Sequence, residues 1–318
     1  MERRGTPAAS HLYGGIEAGG TTFVCAVGDT PQAIQTSTVI STTTPTATLH
    51  QVIAFFRRHP IRNLGLATFG PIDLDQSSST YGRILSTPKL AWQQCPIVDT
   101  LRTTLQVPVA VDTDVNAAAL AEATYGAGRG CDPVVYLTVG TGIGGGAIVH
   151  GQPLHGLMHP EMGHMLLPRA PGDRRPSGCP FHEDCLEGLA SGTAIQLRFG
   201  EPESLPPEHE AWALEAVYLG QALATIVTIL SPQRIILSGG VMHQPHLLPR
   251  IHEACTQVLR GYVPLLKAAS DFASYIVPPA LGDEAGVIGA LHLAQELCSR
   301  RSTSPTYTKP VGRSVRPR

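Results

Sequence analysis

The alternation of apolar and polar positions changes period several times along the chain, and each change marks an element. Residues 12–16 and 22–27 are short β-rich runs joined by Glu17-Ala18-Gly19-Gly20-Thr21, a pattern that predicts a hairpin closed by a glycine turn. Residues 35–41 continue as a third strand. Beyond Pro45 the spacing lengthens: Leu49, Val52, Ile53 and Phe56 recur at helical intervals, which predicts a helix over 46–58. An unbroken apolar run at 64–69 predicts a buried strand that stops at Gly70-Pro71-Ile72-Asp73. Residues 81–92 keep no period and read as irregular, followed by a helix over 97–105, a strand over 107–111 and a helix over 117–125.

The second half repeats the opening. A strand over 134–139 runs into Gly140-Thr141-Gly142-Ile143-Gly144-Gly145-Gly146, and 147–149 continues as another strand. Helices are expected over 187–199 and 210–230, the latter with Trp212, Val217, Leu219, Leu223, Ile226 and Leu230 as apolar positions. A strand at 234–237 enters Ser238-Gly239-Gly240-Val241, followed by a helix over 246–259, a strand over 275–277 and a helix over 284–297. Three strands, a helix and a strand is the opening order of actin-like (ribonuclease H-like) ATPase folds. The fold class expected is therefore α/β, with two α/β domains around a central cleft. Residues 12–114 with 286–298 are expected to form the smaller domain and 115–285 the larger. Residues 299–318, rich in Ser, Thr, Pro and Arg without an acidic residue, read as a disordered basic tail.

At 318 residues and 42% hydrophobic content, the chain can bury a large core. Only 15% of residues are charged and the formal net charge is −2, which gives no bulk attraction to nucleic acid or membrane, and neither partner is expected. No apolar run approaches the ~20 residues of a membrane helix. Seven cysteines, an odd number without a secretory signal, read as reduced thiols of a cytoplasmic protein. Cys25, Cys131, Cys255 and Cys298 lie among apolar residues and are expected to be buried.

The most specific chemistry lies at 164–185. Cys179-Pro180-Phe181-His182-Glu183-Asp184-Cys185 is a C-x2-H-x2-C run, and His164 stands one loop upstream behind Gly163. Two thiolates and two imidazoles suit tetrahedral Zn²⁺, and four protein ligands leave no open position, so the metal is read as structural. His159 stands outside a set that is already full. The loop between, 168–178, is rich in Pro, Gly and Arg and has little apolar surface to order it; ligation would supply that order. Glu161 and Glu187 flank the loop. With His164 they would form a wall for a polyhydroxylated ligand, because carboxylates accept hydrogen bonds from sugar hydroxyls. Solvated surface glutamates would look the same in isolation.

The two strand–turn–strand units at 12–27 and 134–149 carry glycines that let backbone N–H groups approach an anion. Facing each other, they could clamp a polyphosphate with help from the Thr21 and Thr141 hydroxyls. The diglycine at Gly239-Gly240 would suit a flat adenine ring, although bare turns explain the same glycines. There is no P-loop signature. Asp114, in Asp112-Thr113-Asp114-Val115-Asn116, falls where a strand ends and a helix begins, a position that suits both ligand contact and simple helix capping.

These residues together resemble the ROK family of sugar kinases and sugar-responsive repressors, most closely its zinc-containing bacterial fructokinase branch, over about 13–294. Gly14-Gly15-Ile16-Glu17-Ala18-Gly19-Gly20-Thr21 is similar to the family's first phosphate motif and 138–146 to its second. The resemblance implies Gly19, Gly20, Thr21, Thr22, Thr141, Gly142, Gly144, Gly239 and Gly240 as nucleotide contacts and Asp114 as general base. It implies Glu161, His164, Glu187, Thr113, Gly70 and Pro71 at the sugar site and His164, Cys179, His182 and Cys185 as zinc ligands. ATP, Mg²⁺ and a structural Zn²⁺ are the cofactors it implies, D-fructose the substrate, and a homodimer the assembly. Thr22 stands where that branch usually carries Lys, which weakens or relocates a phosphate contact. Thr113 stands where the glucokinase branch has a sugar-contacting Asn, so glucose is not the first expected substrate. No helix-turn-helix precedes Tyr13, so the repressor branch is not expected.

Overall fold

The computed structural model describes residues 11–302. β1 (Tyr13–Ala18), β2 (Thr22–Thr30) and β3 (Ala33–Ser41) form a meander, followed by α1 (Pro45–Arg58), β4 (Asn63–Thr68), α2 (Ile97–Leu105) and β5 (Val109–Thr113). They make a five-stranded sheet in the order β3-β2-β1-β4-β5, antiparallel through the first three strands and parallel from β1 to β4 to β5.

The chain then passes through α3 (Asp114–Tyr125) into β6 (Val134–Val139), β7 (Ile143–Val149) and β8 (Gln152–Pro153). After the loop over 164–185 come α4 (Leu186–Ala190), α5 (Gly192–Phe199), α6 (Glu210–Leu230), β9 (Arg234–Ser238), α7 (Leu247–Leu259), α8 (Ala269–Phe272), β10 (Ile276–Val277) and α9 (Ala285–Ser302). The second sheet, β8-β7-β6-β9-β10, repeats the order and senses of the first. One α/β unit has been used twice, as the repeated sequence pattern predicts.

Helices α3 and α9 are exchanged between the units. α3 follows the first sheet but packs on β6 and β7, whereas α9 follows the second and packs on β1 and β4. The two meet each other between the sheets at backbone distance, where a Cβ on Gly289 would collide with the Ala117 carbonyl, and α9 lies as close on β4, where one on Gly65 would collide with the Ala290 carbonyl. Glycine there exchanges chain entropy for close contact. Phe23, Leu64, Leu66 and Trp92 fill the first core, and Leu137, Trp212, Leu219, Leu223 and Leu237 the second.

Glu122 fixes the outer end of α3. Its fully buried carboxylate accepts the N–H groups of Ala127 (2.6 Å), Ala280 (3.2 Å) and Leu281 (2.7 Å), so it ties α3 to the segment entering α9. Glu122→Leu would leave three donors without an acceptor. A loss of roughly 2–4 kcal/mol is expected in urea unfolding; a loss below about 1 kcal/mol would show that the carboxylate is dispensable.

Several boundaries differ from the sequence expectation. β5 begins and ends two residues later, so α3 starts directly at Asp114. The expected helix over 187–199 breaks at Ser191, whose hydroxyl accepts the Ala194 N–H and caps α5. α9 continues through Ser302 into the expected tail, because the sequence offers no Pro or Gly before Pro305; residues 1–10 and 303–318 lie outside the described residues. α6, at 21 residues, is long and apolar enough to match a membrane span, contrary to the sequence reading. Its Trp212, Tyr218, Leu219, Leu223 and Ile226 are buried in the second core, which accounts for the apolar composition. Cys25 and Cys255 are buried as expected, but Cys131 is half-buried in a connection and Cys298 is exposed near the end of α9. All seven cysteines are free thiols.

Candidate active site

Strand ends of both sheets meet at a cavity of about 350 Å³, lined by Glu17 and Gly19 from the first hairpin, Thr22, Asp114, Tyr136, Thr138, Ser238, Gly239 and Asp283. In open α/β sheets such strand ends are where ligands collect. The first turn is braced from the side: Gly19 N–H donates to Thr22 O (2.9 Å), and the Thr42 hydroxyl donates to Gly19 O (2.9 Å). Gly239 has φ +96°, and a Cβ there would collide with the Val139 backbone, so only glycine brings this strand end into the cavity wall.

Three consecutive residues at the end of β5 take separate tasks. The buried Asp112 carboxylate accepts from Thr113 N–H (2.8 Å) and Asn116 Nδ2 (2.7 Å) and pairs with His155 Nε2 at 3.1 Å. Thr113 is the helix cap, its hydroxyl accepting the Asn116 N–H at 3.1 Å. Asp114, relieved of capping, opens its carboxylate to the cavity and accepts from Val115 N–H at 2.9 Å. Burial raises its pKa from 3.8 to about 6. Glu17 is pushed up to about 7, chiefly by burial and then by the charges of Asp114 and Asp283, against a lowering bond from Val287 N–H in the first turn of α9.

The two glutamates flanking the metal loop are within electrostatic reach of the same place. Partial burial, then Glu187 and Asp114, holds Glu161 above the usual carboxylate range. Glu187 Oε2 accepts Ile143 N–H at 3.0 Å, and a Cβ on Gly142 would lie 2.6 Å from that oxygen. Gly142 is thus glycine at least in part to admit Glu187. His159 is buried, accepts Ile72 N–H at its Nε2 (3.3 Å), and turns Nδ1 to Glu161 Oε1 at 3.4 Å. Accepting at Nε2 puts the ring proton on Nδ1, facing the carboxylate. The imidazole therefore joins the segment after β4 to Glu161, and burial holds its pKa below the usual histidine value.

His164, Cys179, His182 and Cys185 offer ligand atoms that all lie within 4.8 Å of one another. Cys179 Sγ is 3.7 Å from His164 Nδ1 and 3.8 Å from His182 Nδ1, and Cys185 Sγ is 3.8 Å from His164 Nδ1. A tetrahedral Zn²⁺ with ordinary bond lengths has S···N edges of about 3.6 Å, so the donor set fits that ion. A second anchor also holds the loop: Asp173 bonds to Arg198 and to the Tyr218 hydroxyl (2.5 Å), inside the second unit.

The family model described as ROK family matches residues 13–297. The chain belongs to the ROK family. A putative fructokinase of Bacillus subtilis (strain 168) is 44% identical over 294 residues, 92% of this chain and 98% of that protein. A fructokinase of Zymomonas mobilis subsp. mobilis is 42% identical over 293 residues, with 89% and 96% covered. Among solved structures, a ROK hexokinase from Thermus thermophilus is similar at TM-score 0.73 and 29% identity, covering 91% of this chain and 99% of that one. The duplicated sheets are those of the actin-like ATPase fold shared by ROK sugar kinases.

Within this ROK chain, the sequence-predicted Gly19, Thr22, Asp114 and Gly239 line the cavity together, while Gly20, Thr21, Thr141, Gly142, Gly144 and Gly240 are not in its wall. Gly144 lies in β7, where a Cβ would press on Val115, so part of the glycine run serves the packing of α3. Gly70 lies against His159, and Pro71 O accepts Leu85 N–H at 2.7 Å. Glu17, Asp283 and His159 were not singled out as site residues from sequence. Glu17 was legible as an acid inside the first glycine motif; Asp283 and His159 are assembled only by the fold.

Proposed function

We propose that this ROK protein transfers the γ-phosphoryl group of ATP to the C6 hydroxyl of D-fructose, giving fructose 6-phosphate and ADP. The observation that carries the reading is the Asp114 carboxylate, freed from capping by Thr113 and open to a cavity lined by Gly19 and Gly239, with Glu161, outside that wall, close enough to feel the charges of Asp114 and Glu187. The fructokinase names of the B. subtilis and Z. mobilis relatives support it.

Asp114 accepts the C6 hydroxyl proton as the sugar oxygen bonds to phosphorus and the bond from phosphorus to the β–γ bridging oxygen breaks, with ADP leaving. Glu161, Glu187 and the free ring nitrogen of His164 receive sugar hydroxyls, with Thr113, Gly70 and Pro71 shaping the surrounding wall. Gly19, Gly20, Thr21, Thr22, Thr141, Gly142, Gly144, Gly239 and Gly240 are the nucleotide side. Glu17 and Asp283 are suitable oxygen donors for a hydrated Mg²⁺, which supplies charge neutralisation to the phosphates. The Cys179/Cys185/His164/His182 cluster holds a structural Zn²⁺. Residues 12–114 with 286–298 form one lobe and 115–285 the other, and closure between them excludes water from the phosphoryl group. The free thiols suit a reducing cytoplasm. The homodimer belongs to the same reading and is checked by sedimentation.

Sugar-dependent ADP release over fructose, mannose and glucose tests the function. Fructose is expected to give the highest kcat/KM. Comparable values on all three would make the protein a broader hexokinase, the reading favoured by its likeness to the T. thermophilus enzyme. Absence of sugar-dependent release would leave a sugar-binding regulator.

A further inference from the structure

The cavity wall contains the carboxylates of Glu17, Asp114 and Asp283 and no Lys or Arg. A site that must receive a polyphosphate needs positive charge beyond one divalent ion, because three carboxylates repel the incoming anion. A lysine stands over the first glycine turn, outside the wall. A methyl group built on Gly20 would lie 3.2 Å from Lys89 Cε and 3.9 Å from Lys89 Nζ. Lys89 is half-buried, and among the described residues its ammonium forms no ion pair.

Its segment is held in place by the core. Lys89 opens a short 3₁₀ turn, Leu90–Trp92, in which Trp92 N–H donates to Lys89 O at 2.8 Å. The Trp92 ring packs on Phe23 of β2 and on Phe69 after β4, with centroids 5.3 and 5.7 Å away, and its Nε1 donates to Thr43 O at 2.8 Å. Phe23 adjoins Thr22, where β2 leaves the turn. The aromatic contacts thus hold the backbone segment that carries Lys89 against the strand that leaves the glycine turn. The chain has three lysines against twenty arginines, so a compact ammonium on a flexible stem is a departure from its usual choice of cation.

We propose that Lys89 is a catalytic residue that reaches over the Gly19-Gly20 turn to an oxygen of the transferring phosphoryl group. The assignment rests on the phosphotransfer reading above. Lys89 forms no covalent bond in it; its ammonium neutralises charge on the phosphoryl oxygens while phosphorus passes from the β–γ bridging oxygen to the sugar oxygen and Asp114 takes the proton. Glycine at position 20 leaves the stem room to cross the turn.

The test compares Lys89→Met and Lys89→Arg with wild type in three measurements: fructose-dependent ADP release, affinity for AMP-PNP against ADP with Mg²⁺, and thermal unfolding. Lys89→Met is expected to lose about 10²–10³-fold in kcat, the usual loss for one charge-stabilising donor. It should bind AMP-PNP several-fold more weakly while keeping ADP affinity, fructose KM and melting temperature near wild type. Lys89→Arg should recover at least tenfold of the lost rate. Unchanged turnover in Lys89→Met would overturn the proposal, as would an equal loss of AMP-PNP and ADP affinity or equal losses in the two variants. Should wild type release no ADP with any of the three sugars, the function above fails, and the AMP-PNP to ADP comparison still decides whether Lys89 meets the terminal phosphoryl group.

Discussion

Replacing Asp114 with Asn is expected to lower kcat by about 10²–10⁴-fold while leaving the fructose dissociation constant within a few-fold of wild type. Asn keeps the size of the side chain and can still accept the Val115 N–H, so α3 retains its first turn, which Thr113 caps in any case. What it loses is the ability to take the hydroxyl proton. Burial sets the pKa of this carboxylate to about 6, so the base is protonated below that value, and kcat/KM should rise with pH through a limb near 6. The variant's residual rate should lack that limb. The stability linkage has a definite sign. A carboxylate raised in the folded state contributes stability that is full below its ordinary value of 3.8 and is lost as pH rises through about 6. At pH 8 the wild type has lost that contribution, so the Asn variant should melt no lower. Turnover within tenfold of wild type, or a low-pH limb surviving in the variant, would sink Asp114 as the base.

Why Asp114 and not its neighbours could be read only in part from sequence. The local order of strand end and helix start was visible, but capping and catalysis could not be separated on one Asp, because either task suits that position. The structure divides them by a two-residue shift of β5, which gives the cap to Thr113 and the buried scaffold to Asp112. The duplicated sheets were legible because strand–turn–strand patterns recur at 12–27 and 134–149. The exchange of α3 and α9 was not, since it depends on backbone approaches at Gly65 and Gly289 that no period encodes. The metal cluster was legible from spacing within seven residues plus one upstream histidine. His159 was not legible in its actual contacts: its partners Ile72 and Glu161 stand far apart in sequence, and the spacing of the metal ligands says only that it lies outside a set already full. Gly142 and Gly144 show the limit of the glycine argument. Each also stands close to a neighbour, Gly142 to Glu187 and Gly144 to Val115, a requirement that looks the same in sequence as a phosphate turn.

Stripping the metal from the Cys179/Cys185/His164/His182 cluster should separate sugar binding from nucleotide binding. His164 lies three residues after Glu161, and Cys185 lies two before Glu187, so a metal bound at the cluster would bear on the spacing of the two carboxylates. Cys185 also holds its surroundings directly: its Sγ accepts Gly188 N–H at 3.3 Å in α4, and its backbone bridges Leu166. Cys179→Ser is the cleaner variant, because it removes one thiolate without touching that helix start. Metal analysis is expected to find one zinc per chain in wild type. A chelator, or Cys179→Ser, should weaken fructose binding by about 10–100-fold, the usual scale for a disturbed metal surround, and should open the 179–185 turn to proteolysis. Affinity for AMP-PNP should stay near wild type, because the cavity lined by Gly19, Asp114 and Gly239 lies outside the loop. Global unfolding is not expected, since Asp173 with Arg198 and Tyr218 anchors the loop independently. Active protein free of zinc would refute the cluster's role. Equal losses for sugar and nucleotide would show instead that the metal stabilises the whole unit and does not tune the sugar wall.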